Sequence, residues 1–163
     1  MGATPGWDPE RVTFTHPRGT RGGKLPAGRF FRIGNAVVRR LLRLTGGRLA
    51  GLDVLVLTTT GRRSGEPRTT PVMCFADGPG RYLVVASANG AQRNPGWYHN
   101  LAAAPDDATA QVHGEMFPVR AEELGGAERD AAWTRITGES SRFTSYAEKT
   151  DRDIPVLRLT RTT

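Results

Sequence analysis

The groups best suited to chemistry in this 163-residue chain crowd into one short turn, Gly61-Arg62-Arg63-Ser64-Gly65-Glu66-Pro67-Arg68. Three guanidinium forks, a hydroxyl and the backbone N–H groups of a tight turn suit the oxygens of a phosphate or a carboxylate. Upstream, Leu52 to Leu57 is an apolar run ending in three threonines, and downstream Arg68 to Phe75 is rich in β-branched and apolar residues. Both flanks read as strands, with glycines allowing positive φ and Pro67 stiffening the exit. On composition alone, a solvated hairpin tip accounts for the same residues. The turn lacks the Gly-Lys-Ser/Thr ending and following helix of a phosphate-binding loop, which argues against nucleotide hydrolysis.

A second stretch, Ser87-Ala88-Asn89-Gly90-Ala91-Gln92-Arg93-Asn94-Pro95-Gly96-Trp97-Tyr98-His99-Asn100-Leu101, follows the apolar run Tyr82 to Ala86. Its spacing predicts a short helix over 95–104, with Asn94 as cap, Pro95 in the first turn and Pro105 as stop. A strand end, a loop of small residues and a helix N-terminus make a second surface favourable to anions. The histidines, His16, His99 and His113, are scattered. No nucleophile and base pairing and no metal-ligand spacing emerges from them, so hydrolytic and metal chemistry have no support.

The order TTTGRRSGEPRTTPV, then a serine separated by six residues from NPGWYHNLAAAP, resembles the deazaflavin-dependent nitroreductase family of actinobacteria. The resemblance spans roughly residues 50–160 and includes Thr150-Asp151-Arg152-Asp153-Ile154-Pro155. It implies a split β-barrel of the FMN-binding type that holds coenzyme F420, an 8-hydroxy-5-deazaflavin with a phosphate and a polyglutamate tail. The implied reaction is hydride transfer from the reduced coenzyme to a quinone, a nitroaromatic or an activated alkene. By resemblance, Arg62, Arg63, Ser64 and Arg68 surround the phosphate and tail. Thr69, Thr70, Pro71, Val72 and Met73 belong to the strand lining the ring system, and Val85, Ala86 and Ser87 to the end of the next strand. Gly96, Trp97, Tyr98, His99 and Asn100 belong to the closing helix, although Trp97 and Tyr98 equally suit a core. Tyr146 is the candidate proton donor or substrate contact, with Phe143 as a wall.

Two departures from the family stand out. Ala88 occupies a position where relatives often carry lysine, and the aromatic cluster over 142–149 is reduced to Phe143 and Tyr146. Nitro reduction is therefore less expected than quinone or alkene reduction. An FMN oxidoreductase of the same barrel is the alternative, and a non-enzymatic module binding anionic membrane is a third reading.

These residues need elements to hold them. Residues 1–27, rich in Gly and Pro, read as an extended, weakly ordered arm, and 28–163 as one α+β barrel unit. From Gly28 to Leu44 the pattern is helical, with Phe30, Ile33, Val37, Val38, Leu41 and Leu44 on an apolar side. Arg29, Arg32, Arg39, Arg40 and Arg43 form the opposite stripe. Such a helix either docks on the barrel or lies in an anionic membrane interface. Strands are expected near 52–59, 68–76, 81–87, 107–113, 116–122 and 154–159, antiparallel because their connections are tight. A helix is expected over 127–136, ended by Gly138, and a polar loop over 138–150.

The net charge of +7, from 23 basic against 16 acidic residues, favours acidic partners. The arginine stripe carries no interleaved aromatics, so no nucleic-acid partner is expected. Cys74, the single cysteine, falls in an apolar strand and reads as core. Without a leader or a membrane-spanning run, the expectation is a cytoplasmic protein, the helix offering the one route to peripheral contact with the inner face of the membrane.

Overall fold

The computed structural model describes residues 13–25 and 52–163, together with positions 37, 40, 42, 44, 48 and 49. In chain order the elements are β1 (Arg48–Leu49), β2 (Leu52–Thr60), β3 (Pro67–Ala76), β4 (Arg81–Val85) and a single 3-10 turn at Ala88–Gly90. Then come α1 (Gly96–Ala103), β5 (Ala108–Val112), β6 (Glu115–Glu123), α2 (Gly126–Glu139), α3 (Arg142–Lys149) and β7 (Val156–Arg161).

All the strand pairings are antiparallel, in the order β2-β3-β4-β7-β6-β5, and β5 returns to β2. The sheet therefore closes into a six-strand barrel, the split barrel that the family resemblance implies, with β1 as a two-residue addition on β2. Closure leaves no long sheet edge unpaired. Inward positions alternate along β2, where Leu55, Leu57 and Thr59 are buried, as the two-residue period of a strand requires. Val84, Ala110, Val119, Leu157 and Leu159 complete a tightly filled interior. Cys74 is part of this core, and burial pushes its thiol up to about 12, so it stays protonated and unreactive.

A second apolar cluster forms where α2 and α3 cover the outside of the barrel. Phe75, Leu83, Val85, Ile136, Phe143, Ile154 and Val156 meet there, with Trp133, Tyr146 and Ala147 packed against them. In α3, Phe143, Tyr146 and Ala147 recur at the i, i+3, i+4 spacing of one helix face. Burial of Phe143, edge-on to Phe75 at 5.7 Å, is worth about 2–3 kcal/mol.

Several expectations are corrected here. The polar loop expected over 138–150 is largely the helix α3, because its aromatic spacing buries one face despite many hydroxyl residues. Gly138 does not end α2, which continues to Glu139. Asn94 does not cap α1: the helix begins at Gly96, and Asn94 is buried and turned elsewhere.

Residues 13–25 are extended, as expected, but not loosely held. Their backbone exchanges hydrogen bonds with the 90–92 segment through Gly19, Gly23 and Gln92, and Gly23 pairs with Ala91 as a parallel bridge. The Asp151 carboxylate accepts from Thr20 N–H at 2.8 Å, Thr20 Oγ1–H at 2.5 Å and Arg21 N–H at 2.9 Å. These bonds, the Thr20 hydroxyl first, hold the Asp151 carboxyl down at about 2.

The expectations for residues 1–12, and for most of the helix over 28–44 with its arginine stripe, lie outside the described residues. Val37, Arg40, Leu42 and Leu44 are helical. Leu42 is buried, whereas Val37 and Leu44, placed by the sequence pattern on the inward side, are exposed.

Candidate functional site

Between the 61–68 turn, β3, α1 and α3 lies an open cavity of about 950 Å³. That volume is at the upper end of the range for small-molecule and cofactor sites. The turn at one end is built from within. Gly61 N–H donates to the Glu66 carbonyl at 2.8 Å, Gly65 N–H returns to the Gly61 carbonyl at 2.7 Å, and Gly65 adopts φ +68°, a conformation glycine takes without strain. Ser64 Oγ accepts from Glu66 N–H at 3.3 Å and from Arg68 Nη2 at 3.2 Å, leaving its own proton available to a ligand.

Asn100 ties this turn to α1. Its side-chain amide donates to Thr59 Oγ1 at 3.0 Å and its carbonyl oxygen accepts the Arg62 N–H at 3.1 Å. A buried amide satisfied on both sides fixes the helix and the turn relative to one another. The turn is therefore a positioned element of the cavity rather than a free hairpin tip.

The opposite wall is the 87–95 loop. It carries Ala88 at φ 46° and Asn89 at φ 56°, both in the left-handed region that non-glycine residues seldom adopt. Its next residue, Gly90, lies so close to α3 that an added Cβ would sit 2.7 Å from the Tyr146 carbonyl oxygen and 2.8 Å from Lys149 Cβ. Arg152 fixes the loop from beneath. Its buried guanidinium donates to the carbonyls of Ala86 at 3.1 Å, Ser87 at 2.9 Å and Ala91 at 3.0 Å, and to Asn94 Oδ1. Asn94 in turn donates to the Pro17 carbonyl at 3.3 Å, which joins the arm to the same hub.

Of the residues singled out from the sequence, Arg62, Arg63, Ser64, Arg68, Thr69, Thr70, Pro71, Val72 and Met73 line the cavity. So do Ser87, Gly96, Trp97, His99, Asn100 and Tyr146. Val85, Ala86 and Tyr98 are placed elsewhere. Val85 packs beneath α3, and Ala86 turns its carbonyl to Arg152. Tyr98 points away from the cavity into the core, where its hydroxyl donates to Glu123 Oε2 at 2.6 Å and accepts the His16 N–H at 3.0 Å. Burial first, and then the Glu123 carboxylate, push Tyr98 up to about 12, so it acts as a fixed hydrogen-bond donor.

The cavity also takes in Leu25 from the arm, Ala88, Asn89, Pro95 and, from α3, Arg142 and Phe143. Leu25 had no signal in the sequence, since the return of the arm is a tertiary event. Arg142 had one: it precedes Tyr146 by four residues, which on a helix places the two on one side.

Electrostatically the cavity is one-signed. Among the described residues its walls carry four arginines and no carboxylate. Arg68 pairs with Glu66 at 3.3 Å, while Arg62, Arg63 and Arg142 have no carboxylate partner among the described residues. His99 lies on the same wall, its ring stacked parallel to His16 of the arm with centroids 5.6 Å apart. Burial, followed by the charges of Arg62, His16 and Arg18, lowers its pKa from 6.5 and favours neutral imidazole. Among the described residues no cluster of His, Cys, Asp or Glu could hold a metal, and no helix is long and apolar enough to cross a membrane. The arrangement suits a long polyanionic ligand with an apolar portion.

Comparison with known proteins agrees with that chemistry. The model of the F420H(2)-dependent quinone reductase family matches residues 30–161. A Mycobacterium tuberculosis protein named F420H(2)-dependent quinone reductase is 39% identical over 134 residues, covering 80% of this chain and 89% of its own. The solved structure of an F420-H2 dependent reductase, FDR-A, superposes with a TM-score of 0.58 at 36% identity, over 65% of this chain and 92% of that one. Another solved chain, described as a domain-swapped dimer, superposes with a TM-score of 0.59 at 31% identity, over 79% of this chain and 98% of that one.

Proposed function

The chain belongs to the F420H(2)-dependent quinone reductase family, and on that premise we propose that its arginine-lined cavity holds coenzyme F420 beside a quinone. The protein is an oxidoreductase that uses F420H2; an FMN enzyme or a purely membrane-binding module is no longer needed to explain it. One observation carries the assignment of residues: a cavity of coenzyme size lined, among the described residues, by four arginines and no acidic group.

When bound, the reduced coenzyme supplies hydride; the chain supplies position and charge. Arg62, Arg63, Arg68 and the Ser64 hydroxyl would hold the phosphate and the acidic tail by charge-assisted hydrogen bonds. Thr70 to Met73 and the buried Trp97 give the apolar wall for the ring system. Asn100 holds the arginine turn at a fixed distance from that wall. The acceptor has room beside Phe143 and Tyr146, and the Tyr146 hydroxyl is the proton donor within the site. Cytoplasmic residence with peripheral contact to anionic membrane through the 28–44 segment remains part of the proposal, supported by its arginine content and by the exposed Val37 and Leu44.

Titration of the purified protein with oxidised F420, FMN and NADPH, followed by F420H2 oxidation with a naphthoquinone, tests the reading. F420 binding at micromolar or tighter concentration and quinone-dependent oxidation are expected. FMN binding without F420 binding would overturn it. Flotation with anionic and neutral liposomes tests the membrane contact, which a lack of salt-sensitive association with the anionic vesicles would refute.

A further inference from the structure

Arg142 is a cation that the cofactor assignment does not use. It sits in the first turn of α3, lines the cavity, and donates to a soft acceptor: Nη1 lies 3.9 Å from Met73 Sδ. No carboxylate pairs with it among the described residues. Its place along β3 decides what it can reach. Arg68 and Met73 are five residues apart on that strand, about 17 Å at about 3.3 Å per residue. Arg68 is moreover turned back toward Ser64 and Glu66, away from Met73. One phosphate cannot bridge such a separation, so Arg142 serves a different part of the ligand set from the 62–68 turn.

What lies beside it is the acceptor space. Phe143 and Tyr146 are its neighbours on α3, and their rings meet edge-on at 5.8 Å. We propose that Arg142 is the acceptor-side cation of the site: its guanidinium takes the quinone oxygen on which negative charge appears during reduction. The proposal rests on the reading of the cavity as an F420 and quinone site. The balance is simple. Two electrons and one proton reach the quinone as hydride from F420H2, one carbonyl becomes a hydroxyl and the other a phenolate oxygen. A proton from Tyr146 or water then completes the hydroquinone. A planar fork with no competing carboxylate suits that phenolate oxygen, and the charge it meets is larger in the product-like state than in the neutral quinone.

The test compares wild type, Arg142→Gln and Arg142→Lys, each loaded with oxidised F420. Binding of two probes is followed by quenching of tryptophan fluorescence: 2-hydroxy-1,4-naphthoquinone, an anion at neutral pH that mimics the phenolate, and neutral 1,4-naphthoquinone. Arg142→Gln is expected to bind the anion about 10-fold or more weakly and the neutral quinone within about 3-fold, the scale of one charge-assisted hydrogen bond. Arg142→Lys is expected to recover part of the anion affinity. The side chain is exposed, so thermal midpoint and F420 affinity should stay near wild type. Equal affinity of wild type and Arg142→Gln for the anion would overturn the proposal and leave the F420 assignment standing. A comparable loss of F420 affinity in Arg142→Gln would also overturn it, making Arg142 a coenzyme contact. Failure of the wild type to bind F420 would remove both.

Discussion

Replacing Arg152 with methionine asks whether the loop wall of the site is held by one buried guanidinium. The residue is 4% exposed and donates to three backbone carbonyls and the Asn94 side chain, with no carboxylate paired to it among the described residues. Methionine keeps the length and apolar stem and deletes the fork. Four acceptors then lose their donor, at about 1–3 kcal/mol for each that stays dry. Against this, a desolvated guanidinium is removed, and its burial is costly enough to lower its pKa. Partial rehydration of the loop offsets more, so the net loss should be about 3–5 kcal/mol. For a chain of this length each kcal/mol lowers the thermal midpoint by about 2–4 °C, giving a fall of about 6–20 °C. Thermal unfolding followed by circular dichroism measures the fall, and F420 titration should show weaker binding, because Ser87, Ala88 and Asn89 ride on that loop. Arg152→Lys should fall between, since an ammonium cannot span four acceptors in fork geometry. A midpoint within about 2 °C of wild type for Arg152→Met would refute the reasoning.

Arg62→Ala and Arg63→Ala should each weaken F420 binding by about 1–3 kcal/mol with little change in thermal midpoint, because both side chains are exposed and carry no ion pair among the described residues; unchanged affinity in fluorescence titration would reduce the turn to scaffold. Tyr146→Phe should lower kcat with quinone by about 10-fold or more while F420 affinity is retained, and an unaltered kcat would remove the hydroxyl from proton delivery. For His99 the folded pKa lies below 6.5, so the fold prefers neutral imidazole: its contribution is complete above pH 6.5 and is lost as the pH falls from there through the lowered folded value. His99→Gln should flatten the thermal midpoint against pH in that window, and an identical slope in both proteins would show that His99 is not responsible.

How much of this was legible in the sequence depended on whether the signal was local. The strands around the 61–68 turn were readable because apolar runs, glycines and Pro67 act over a few residues, and the observed β2 and β3 begin and end within one residue of expectation at each end. The turn's chemistry was readable for the same reason. Helix α3 was missed because hydroxyl and charged residues outnumber apolar ones there, although Phe143, Tyr146 and Ala147 held the right spacing. Tyr98 was assigned to the cavity with its neighbours Trp97 and His99, yet successive helical residues point about 100° apart and only tertiary packing chooses which faces the ligand. Arg152 gave no sign of its role, since its four acceptors lie 58 to 66 residues away in sequence.

The distribution of ion pairs explains why the positive excess of the chain acts at the cavity. Elsewhere on the barrel several arginines are matched: Arg158 with Asp77, Glu122 and Glu128, Arg135 with Asp77 and Glu139, Arg161 with Glu115, Arg120 with Asp106. Acidic groups near the site are committed to other work. Glu123 is engaged by Tyr98 and Thr15, Asp151 by the arm, and Glu66 by Arg68. Each of these carboxylates is occupied in holding an element that shapes the cavity while remaining outside its lining. The same residues that fix the arm and the turn thereby leave Arg62, Arg63 and Arg142 unneutralised. A concave, one-signed wall focuses the field on an approaching polyanion more strongly than a net charge spread evenly over the surface would.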